Sequence, residues 1–258
     1  KVGDPRLSGT GGWASTCGGP AADTLETTYT YQGDGRVASI ASAGINATAV
    51  AYHDASIPGS APGTFKSATQ SIAGTDLATT VLYNAFDPAT APAGSEHPDL
   101  RAGITVAGVA RWGQTAIPLT TTVVYGPGDT VSTTNLVDGV VHALNSDGRE
   151  VNTGVYSGTG EAGWRIDTTE YDTYGNAVRT LSAANRDRAL NPTDPAYVGE
   201  LEDLGLTGAT SVEIAAALDE RSVYSADGTD LLETFGPAHM IALPGAGAVE
   251  AIARAHTV

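Results

Sequence analysis

The sequence of 258 residues has little of several features that would narrow its class: one cysteine, two lysines and 6% aromatic residues. Cys17 has no second cysteine to pair with, so an intrachain disulfide framework is excluded and no redox compartment is indicated. No apolar run approaches the roughly 18 residues that a membrane-spanning helix needs, and the N-terminal residues show no apolar signal-like core. The sequence therefore predicts no membrane span.

Positive charge is also scarce, because 13 Lys and Arg residues face 29 Asp and Glu residues, which gives a formal net charge of −16. Attraction to a phosphate backbone is absent, so nucleic acid is a poor partner. With 41% hydrophobic and 16% charged residues, the composition is too apolar for a disordered chain. We expect a folded protein.

The 32 glycines and 13 prolines lack the fixed period of collagen and predict many turns between short segments. The clearest strand is predicted at residues 119–125. Further strands are predicted at residues 27–31, 36–40, 47–52, 103–110, 137–142, 150–156, 166–171, 177–181 and 231–235. Two segments rich in proline, 56–63 and 87–98, are predicted to be exposed loops.

One segment departs from this pattern, since residues 195–221 predict a small helical insertion. Thr210 and Glu213 have the spacing of a capping box before an alanine-rich apolar run. A weaker helix is predicted at residues 197–204, with Gly205 placed to end it. The fold class is thus all-β with a short helical insertion. A start without Met and an end in strand-like sequence predict that this single β domain, residues 1–258, is a fragment of a longer chain.

A short pattern recurs along the chain: a tyrosine, three residues, then a glycine, with β-forming residues on both sides. The copies are Tyr31/Gly35, Tyr156/Gly160, Tyr171/Gly175 and Tyr224/Gly228, and Leu144/Gly148 with Leu in place of Tyr. The residue after the Tyr or Leu is often Ser, Asp or Asn, which favour the first place of a type I turn. The glycine can take a positive φ and form the bulge that fits such a turn to twisted strands. Each copy therefore predicts a β-hairpin.

The extended copies at residues 29–37, 168–178 and 223–232 resemble the tyrosine–aspartate repeats of the RHS family, in which Tyr-Asp-x-x-Gly-Arg/Asn precedes an apolar residue. The best match has Tyr171, Asp172 and Gly175 followed by Asn176. The resemblance implies stacked β-hairpins in a sheet strip that forms part of a hollow shell, as in bacterial toxin-encapsulating RHS and Tc proteins and the related teneurins.

The same resemblance implies a secreted or cell-surface protein whose partners are flanking segments of its parent chain and a toxin cargo domain. Two structural expectations accompany it. Gly175 and Gly228 should have positive φ. The four repeat tyrosines, which should form a ladder between neighbouring strands, should be mostly buried: Tyr31, Tyr156, Tyr171 and Tyr224.

The sequence contains few groups of residues with the spacing of a catalytic or metal-binding site. The five histidines are single and without metal-ligand spacing: His53, His97, His142, His239 and His256. No nucleophile elbow or phosphate loop is present, so the sequence predicts no catalytic residue, no cofactor and no metal. Asn46 begins a glycosylation acceptor triplet of the kind expected by chance.

Two other function classes stay open beside the shell. Glu170/Asp172 and Asp219/Glu220 are carboxylate pairs by proximity, which a secreted glycoside hydrolase would need. Three tryptophans could form the sugar-stacking platform of a carbohydrate-binding or adhesion module, although tryptophans in a β protein more often belong to the core: Trp13, Trp112 and Trp164.

Overall fold

The computed structural model describes residues 2–3, 26–54, 61–85, 103–132, 136–157, 163–243, 245 and 247–257. Antiparallel β-strands account for the largest share of these residues, and the helices are few and short. The chain divides into two compact units, residues 1–83 with 124–131 and residues 84–123 with 132–258.

The first unit is an antiparallel meander in which each strand pairs with the next along the chain. Its strands are β1 (Val2–Gly3), β2 (Glu26–Tyr31), β3 (Val37–Ser42), β4 (Thr48–Tyr52), β5 (Phe65–Ile72) and β6 (Thr75–Tyr83). Their Thr, Val, Ile and Tyr content suits a pleated, half-buried surface. Burial is shallow: of the described residues between 26 and 83, only His53, Thr80 and Leu82 are buried.

The second unit holds the remaining strands, and the boundary between the units falls within β7. The strands are β7 (Thr120–Tyr125), β8 (Gly139–Leu144), β9 (Glu150–Tyr156), β10 (Trp164–Tyr171), β11 (Ala177–Leu181), β12 (Glu220–Tyr224), β13 (Leu231–Leu243) and β14 (Gly247–His256). From β8 to β14 they again pair in chain order. Along β10 burial alternates, because successive side chains of a strand point to opposite faces of the sheet.

Four helices are described in the second unit, and the last three form a cap between β11 and β12. They are α1 (Val106–Ala110), α2 (Ala183–Leu190), α3 (Val198–Asp203) and α4 (Ser211–Leu218). A hydroxyl begins three of them: Thr105, Ser182 and Thr210 each accept a hydrogen bond from a backbone N–H of the first turn. Trp112, Leu181, Ile214 and Leu218 lie in the apolar core of this unit.

The helical insertion predicted near 195–221 is confirmed by α3 and α4. The capping box at Thr210 has both of its hydrogen bonds, and Gly205 follows α3 with a φ of 67°. The strand predicted at 103–110 is wrong, since residues 106–110 form α1. The apolar run Ile104-Thr105-Val106 predicts a strand. The structure has a helix instead, because the Thr105 side chain caps its first turn and Val109 is buried on one helical face.

Several predictions fall where the structure gives no description. The predicted loop at 87–98 lies outside the described residues, as does most of the loop at 56–63, and so do Trp13, Cys17, His97 and Gly160. Within the described part of the chain, no helix has the length and apolarity to cross a membrane.

Candidate functional site

In the first unit, two hairpin turns at the same end of the sheet share one hydrogen-bond pattern. The turn after Tyr31 has bonds from Gln32 N to Arg36 O at 2.7 Å and from Gly35 N to Gln32 O at 3.0 Å. The turn after Tyr52 repeats it, from His53 N to Thr64 O at 2.9 Å and from Gly63 N to His53 O at 2.8 Å.

The second unit contains three more turns of this kind. The residue after the Tyr or Leu accepts a bond from the glycine N–H in each: Gly148 to Asn145 at 3.1 Å, Gly175 to Asp172 at 3.1 Å and Gly228 to Ser225 at 2.8 Å. In all five hairpins the strand pairing shifts register immediately before the Tyr or Leu. This is the bulge expected beside a positive-φ glycine.

The glycine prediction is confirmed, with φ of 97° at Gly175 and 74° at Gly228. Gly35, Gly63 and Gly148 have φ of 85°, 84° and 73°. The Tyr52/Gly63 turn was missed by the sequence pattern because ten residues separate its Tyr and Gly. We call the two turns of the first unit the turn row of that unit, and the three turns of the second unit the turn row of the second.

The prediction of buried tyrosines is wrong at Tyr31, which is 63% exposed. Tyr156, Tyr171 and Tyr224 are half-buried. Tyr156 also differs in position: it ends β9, so its turn lies at the opposite end of the strands from the turns at Leu144 and Tyr171. Its ring packs against Trp164 at 5.4 Å between centroids.

A side chain from one turn covers the next turn of the row, an arrangement that we call a turn clasp. In the first unit, Arg36 follows Gly35 and reaches the following turn. Its guanidinium lies 4.6 Å from the centroid of the Tyr52 ring, and its Nη1 lies 2.8 Å from where a Cβ on Gly63 would be. The clasp is therefore a cation–π contact that requires glycine at position 63.

The second unit repeats the clasp with Arg149, the residue after Gly148. Its Nη1 donates to the Asp172 carbonyl at 3.1 Å, and its Nη2 lies 2.7 Å from the Cβ position of Gly175. The guanidinium stands 5.7 Å from the centroid of the Tyr171 ring.

The next step of the row uses Tyr174 and Asn176. Asn176 Nδ2 donates to Gly228 O at 2.8 Å, and the Tyr174 hydroxyl donates to Ala226 O at 3.0 Å. In the Tyr171 turn itself, Asp172 Oδ1 accepts three backbone N–H bonds of 2.8–2.9 Å. Burial raises the pKa of Asp172, but the bonds from Asn176, Gly175 and Tyr174 outweigh this and leave the pKa below its ordinary value.

Beneath the sheet of the second unit lies a buried polar network. Trp112 Nε1 donates to Thr168 Oγ1 at 3.1 Å and to Gln114 Oε1 at 3.2 Å. Gln114 and Asn152 exchange amide bonds of 2.9 and 2.8 Å. These reciprocal bonds satisfy groups that would otherwise be costly to bury. Sequence patterning gave no sign of this network, because its members lie far apart in the chain.

A charged cluster adjoins this network. Arg179 bonds Glu170 through Nη1 at 2.6 Å and Asp219 through Nε at 2.7 Å, and Arg221 Nε bonds Asp219 at 2.8 Å. Glu170 Oε2 also accepts the Thr115 N–H at 2.8 Å and bonds its hydroxyl. Burial raises the pKa of Glu170, but the bonds from Thr115 and Arg179 outweigh it, so the pKa lies below its ordinary value. Two carboxylates and two guanidiniums balance in charge.

This cluster is suited to structure more than to acid–base chemistry. A general acid needs a raised pKa, whereas that of Glu170 is lowered. Asp172 lies beyond the end of β10 and caps a turn, so it does not share a face with Glu170. Asp219 is buried and forms ion pairs with Arg179 and Arg221, whereas Glu220 is exposed. One carboxylate of each pair, Glu170 and Asp219, lines a cavity of about 310 Å³ together with Arg179 and Arg221.

The tryptophans give no sugar platform among the described residues, because Trp112 is 0% and Trp164 3% exposed. His142 pairs with Glu150, and His256 lies 3.4 Å from Glu233. Within the described ranges, no three His, Cys, Asp or Glu residues are grouped as metal ligands would be. Asn46 is exposed and its amide bonds the Ser71 carbonyl.

Comparison with known proteins adds no identity: the chain matches no family model, and no curated protein is similar to it at a significant level.

Proposed function

We propose that the chain is a non-enzymatic wall segment of an RHS-like β shell, which encloses or presents a toxin cargo domain of the same parent protein. The proposal implies a secreted or cell-surface protein of bacterial type. The observation that carries it is the turn clasp, which joins successive hairpins three times with related geometry.

A shell wall is built from hairpins that are only marginally stable in isolation and are stabilised by contacts with neighbouring hairpins. An isolated two-stranded hairpin has no core of its own, so stability must come from its neighbours. The clasps supply such nearest-neighbour contacts at the turns, where strand pairing alone would leave the ends free to fray. This supports a role in which the sheet itself is the working part.

The charged cluster supports the non-enzymatic part of the proposal. Glu170 and Asp219 are both bound to Arg179, and Thr115 holds the second oxygen of Glu170. Arg221 binds the second oxygen of Asp219. Every carboxylate oxygen of Glu170 and Asp219 is therefore engaged with a donor. The cluster joins β10, β11 and the end of the helical cap, and it acts as a brace.

The last strand fits the same role. Among the described residues β14 pairs with β13 and with no other strand. Thr257 N donates to Leu232 O at 2.9 Å, so by alternation the N–H groups of Ile252 and Arg254 point away from β13. A further strand can pair there, as a continuing wall requires.

The test is to purify the natural parent protein that contains these residues and to image it. A hollow β shell that shields its C-terminal domain from protease supports the proposal. The matched variants are Arg149→Met, which removes a clasp, and Arg254→Met, which removes an exposed arginine of β14. Greater protease access to the cargo with the first variant alone is expected.

The same protein should be assayed with glycan and peptide pools. No turnover is expected. Turnover abolished by Glu170→Gln, in a variant that keeps its melting temperature, would overturn the proposal in favour of a hydrolase. A parent without a shell would overturn it as well.

A further inference from the structure

The outer edge of β14 lacks the features that usually prevent a sheet edge from pairing with another chain. Such edges commonly carry lysine, proline or a bulge. The ten residues of β14 include no lysine and no proline, and the bulge between Phe235 and Ala238 lies in β13 instead. The N–H and C=O groups of Ile252 and Arg254 point outward, so this edge can bind a further strand.

The charges along this edge are symmetric about Ile252. Glu250, Ile252 and Arg254 alternate along β14 and therefore share one face of the sheet. Within the described ranges, the Glu250 carboxylate has no hydrogen bond or ion pair. Arg254 is 60% exposed and binds Glu233 through one nitrogen, Nη2, at 2.5 Å. A negative and a positive side chain thus stand two residues before and two residues after Ile252.

Ile252 is the apolar residue at the centre of this pattern, and it is 51% exposed. Together with Val223 and Phe235 it lines an apolar cavity of about 310 Å³ beside α4. Directly opposite residues of an antiparallel pair have their Cβ atoms about 5 Å apart. A neighbouring strand with an apolar side chain opposite Ile252 would therefore cover it.

A second copy of β14 supplies that side chain and matches the charges as well. In an antiparallel pair with Ile252 on the two-fold axis, the two Ile252 side chains lie opposite each other. Glu250 of each copy then lies opposite Arg254 of the other copy. A shift of the axis by one residue sets Ile252 opposite a charged residue, and a shift by two sets like charges directly opposite, which is destabilising.

We infer that two copies of the chain associate through the outer edges of β14, antiparallel and with Ile252 on the two-fold axis. The charge pattern selects this partner and this register, because no other symmetric register pairs both glutamates with both arginines. The inference depends on the edge and not on the shell proposal. A dimer can form without a cargo, and a shell can form from one parent chain, so either proposal can fail without the other.

The first test is sedimentation equilibrium of the whole chain over a wide range of concentrations at physiological ionic strength. We expect a reversible dimer with a dissociation constant in the micromolar range, because one strand edge is smaller than a standard interface. A chain that stays monomeric would overturn the inference. Assembly beyond two copies would overturn it as well, because two-fold pairing of one edge closes with the dimer.

Charge reversal tests the register. Glu250→Arg should weaken the dimer about tenfold or more, because two arginine pairs then lie opposite each other. Glu202→Arg is the matched control, since Glu202 is exposed on α3 and the change in net charge is the same. Each copy carries a net charge of −16, so general repulsion alone would make both variants associate more tightly. Equal behaviour of the two variants would overturn the inference.

A mixture of two variants gives the sharpest result. Arg254→Glu alone should also weaken the dimer. In an equimolar mixture with Glu250→Arg, one chain carries two arginines at these positions and the other carries two glutamates, so both opposite pairs are restored. The mixed dimer should therefore recover the native affinity within about threefold, the range of one or two exposed ion pairs. Failure to recover, in variants whose melting temperatures show that they are folded, would overturn the inference.

Hydrogen exchange of the native chain tests the edge without any substitution. The amides of Ile252 and Arg254 should exchange more slowly as the concentration rises, because their N–H groups become bonded in the dimer. The amide of Ala255 faces β13 and should exchange at the same rate at every concentration. Exchange at Ile252 and Arg254 that is independent of concentration would show that the edge is not the interface.

Discussion

The ring of Tyr174 occupies the space that a side chain at Gly228 would need. A Cβ built on Gly228 would lie 2.8 Å from the Tyr174 Cβ and would overlap the ring itself. The tyrosine belongs to one turn and the glycine to the next, so this contact fixes the distance between two successive hairpins. Glycine is therefore required at position 228 for two reasons: the backbone φ is 74°, and the Tyr174 ring fills the space of a side chain.

Gly228→Ala should destabilise the protein more than Gly148→Ala. Both glycines have positive φ, 74° and 73°, but nothing lies within 4 Å of a Cβ on Gly148. The backbone cost is about 1 kcal/mol in each, and overpacking against Tyr174 should add roughly 1–3 kcal/mol at position 228. Urea unfolding measures both.

Tyr174→Ala provides the control for that prediction. In the double variant Tyr174→Ala with Gly228→Ala, the extra cost at position 228 should fall because the overlap with the ring is removed, although the Cβ of residue 174 stays 2.8 Å from the new Cβ. The coupling appears in a double-mutant cycle. Equal destabilisation by the two glycine substitutions in the native background would contradict the clasp.

The turns could be predicted because their chemistry is local. Asp172 and Gly175 lie three residues apart, and the turn that they form follows from side-chain hydrogen bonding and positive φ. The same holds for the Thr210 capping box. The hairpin at Tyr52 and Gly63 escaped detection because an insertion separates its two signals, although its hydrogen bonds match those of the other turns.

The missed features depend on contacts between distant segments. Helix α2 buries Ala183, Arg186 and Ala189, and a buried arginine hides the apolar period that predicts a helix. Arg186 is accommodated because its guanidinium stacks on Trp112 at 4.5 Å from the ring centroid. No property of residues 183–190 alone reveals that partner.

Arg179→Met should lower the free energy of unfolding by about 3–5 kcal/mol, because Glu170 and Asp219 would remain buried without their shared cation. Arg254→Met is the matched control. Arg254 pairs with Glu233 but is 60% exposed, so its loss should cost about 0–1 kcal/mol. Chemical denaturation of both variants checks the difference, and a similar small effect in both would show that the cluster is not a brace.

Asp172→Ala should lower the melting temperature, whereas Asp147→Ala should not. Asp172 accepts backbone bonds from Tyr174, Gly175 and Asn176, which hold the turn closed. Asp147 is an exposed acid within the corresponding turn, whose backbone bonds go to Asn145 instead. Calorimetry at neutral pH measures both. Asp172→Asn should retain most of the stability because its carbonyl oxygen can still accept bonds, and a loss as large as that of Asp172→Ala would argue against capping.

The pH dependence of the free energy of unfolding should contain a contribution from the lowered pKa of Glu170. Its pKa is raised by burial but lowered further by Thr115 and Arg179, so the folded value is below the unfolded one. The stability that Glu170 contributes is therefore fully present above the unfolded pKa of about 4.3 and is lost as the pH falls through the folded pKa. Urea unfolding across this acidic range should show a shallower pH dependence for Glu170→Gln than for the native chain. Glu250→Gln, at an exposed position of β14, is the matched substitution for comparison. Because Glu170→Gln also weakens the brace, an NMR titration of the native chain gives an independent reading, in which the pKa of Glu170 should lie below the ordinary value of a glutamate. Titration of Glu170 at or above the ordinary pKa of a glutamate would show that Thr115 and Arg179 do not stabilise the charged form.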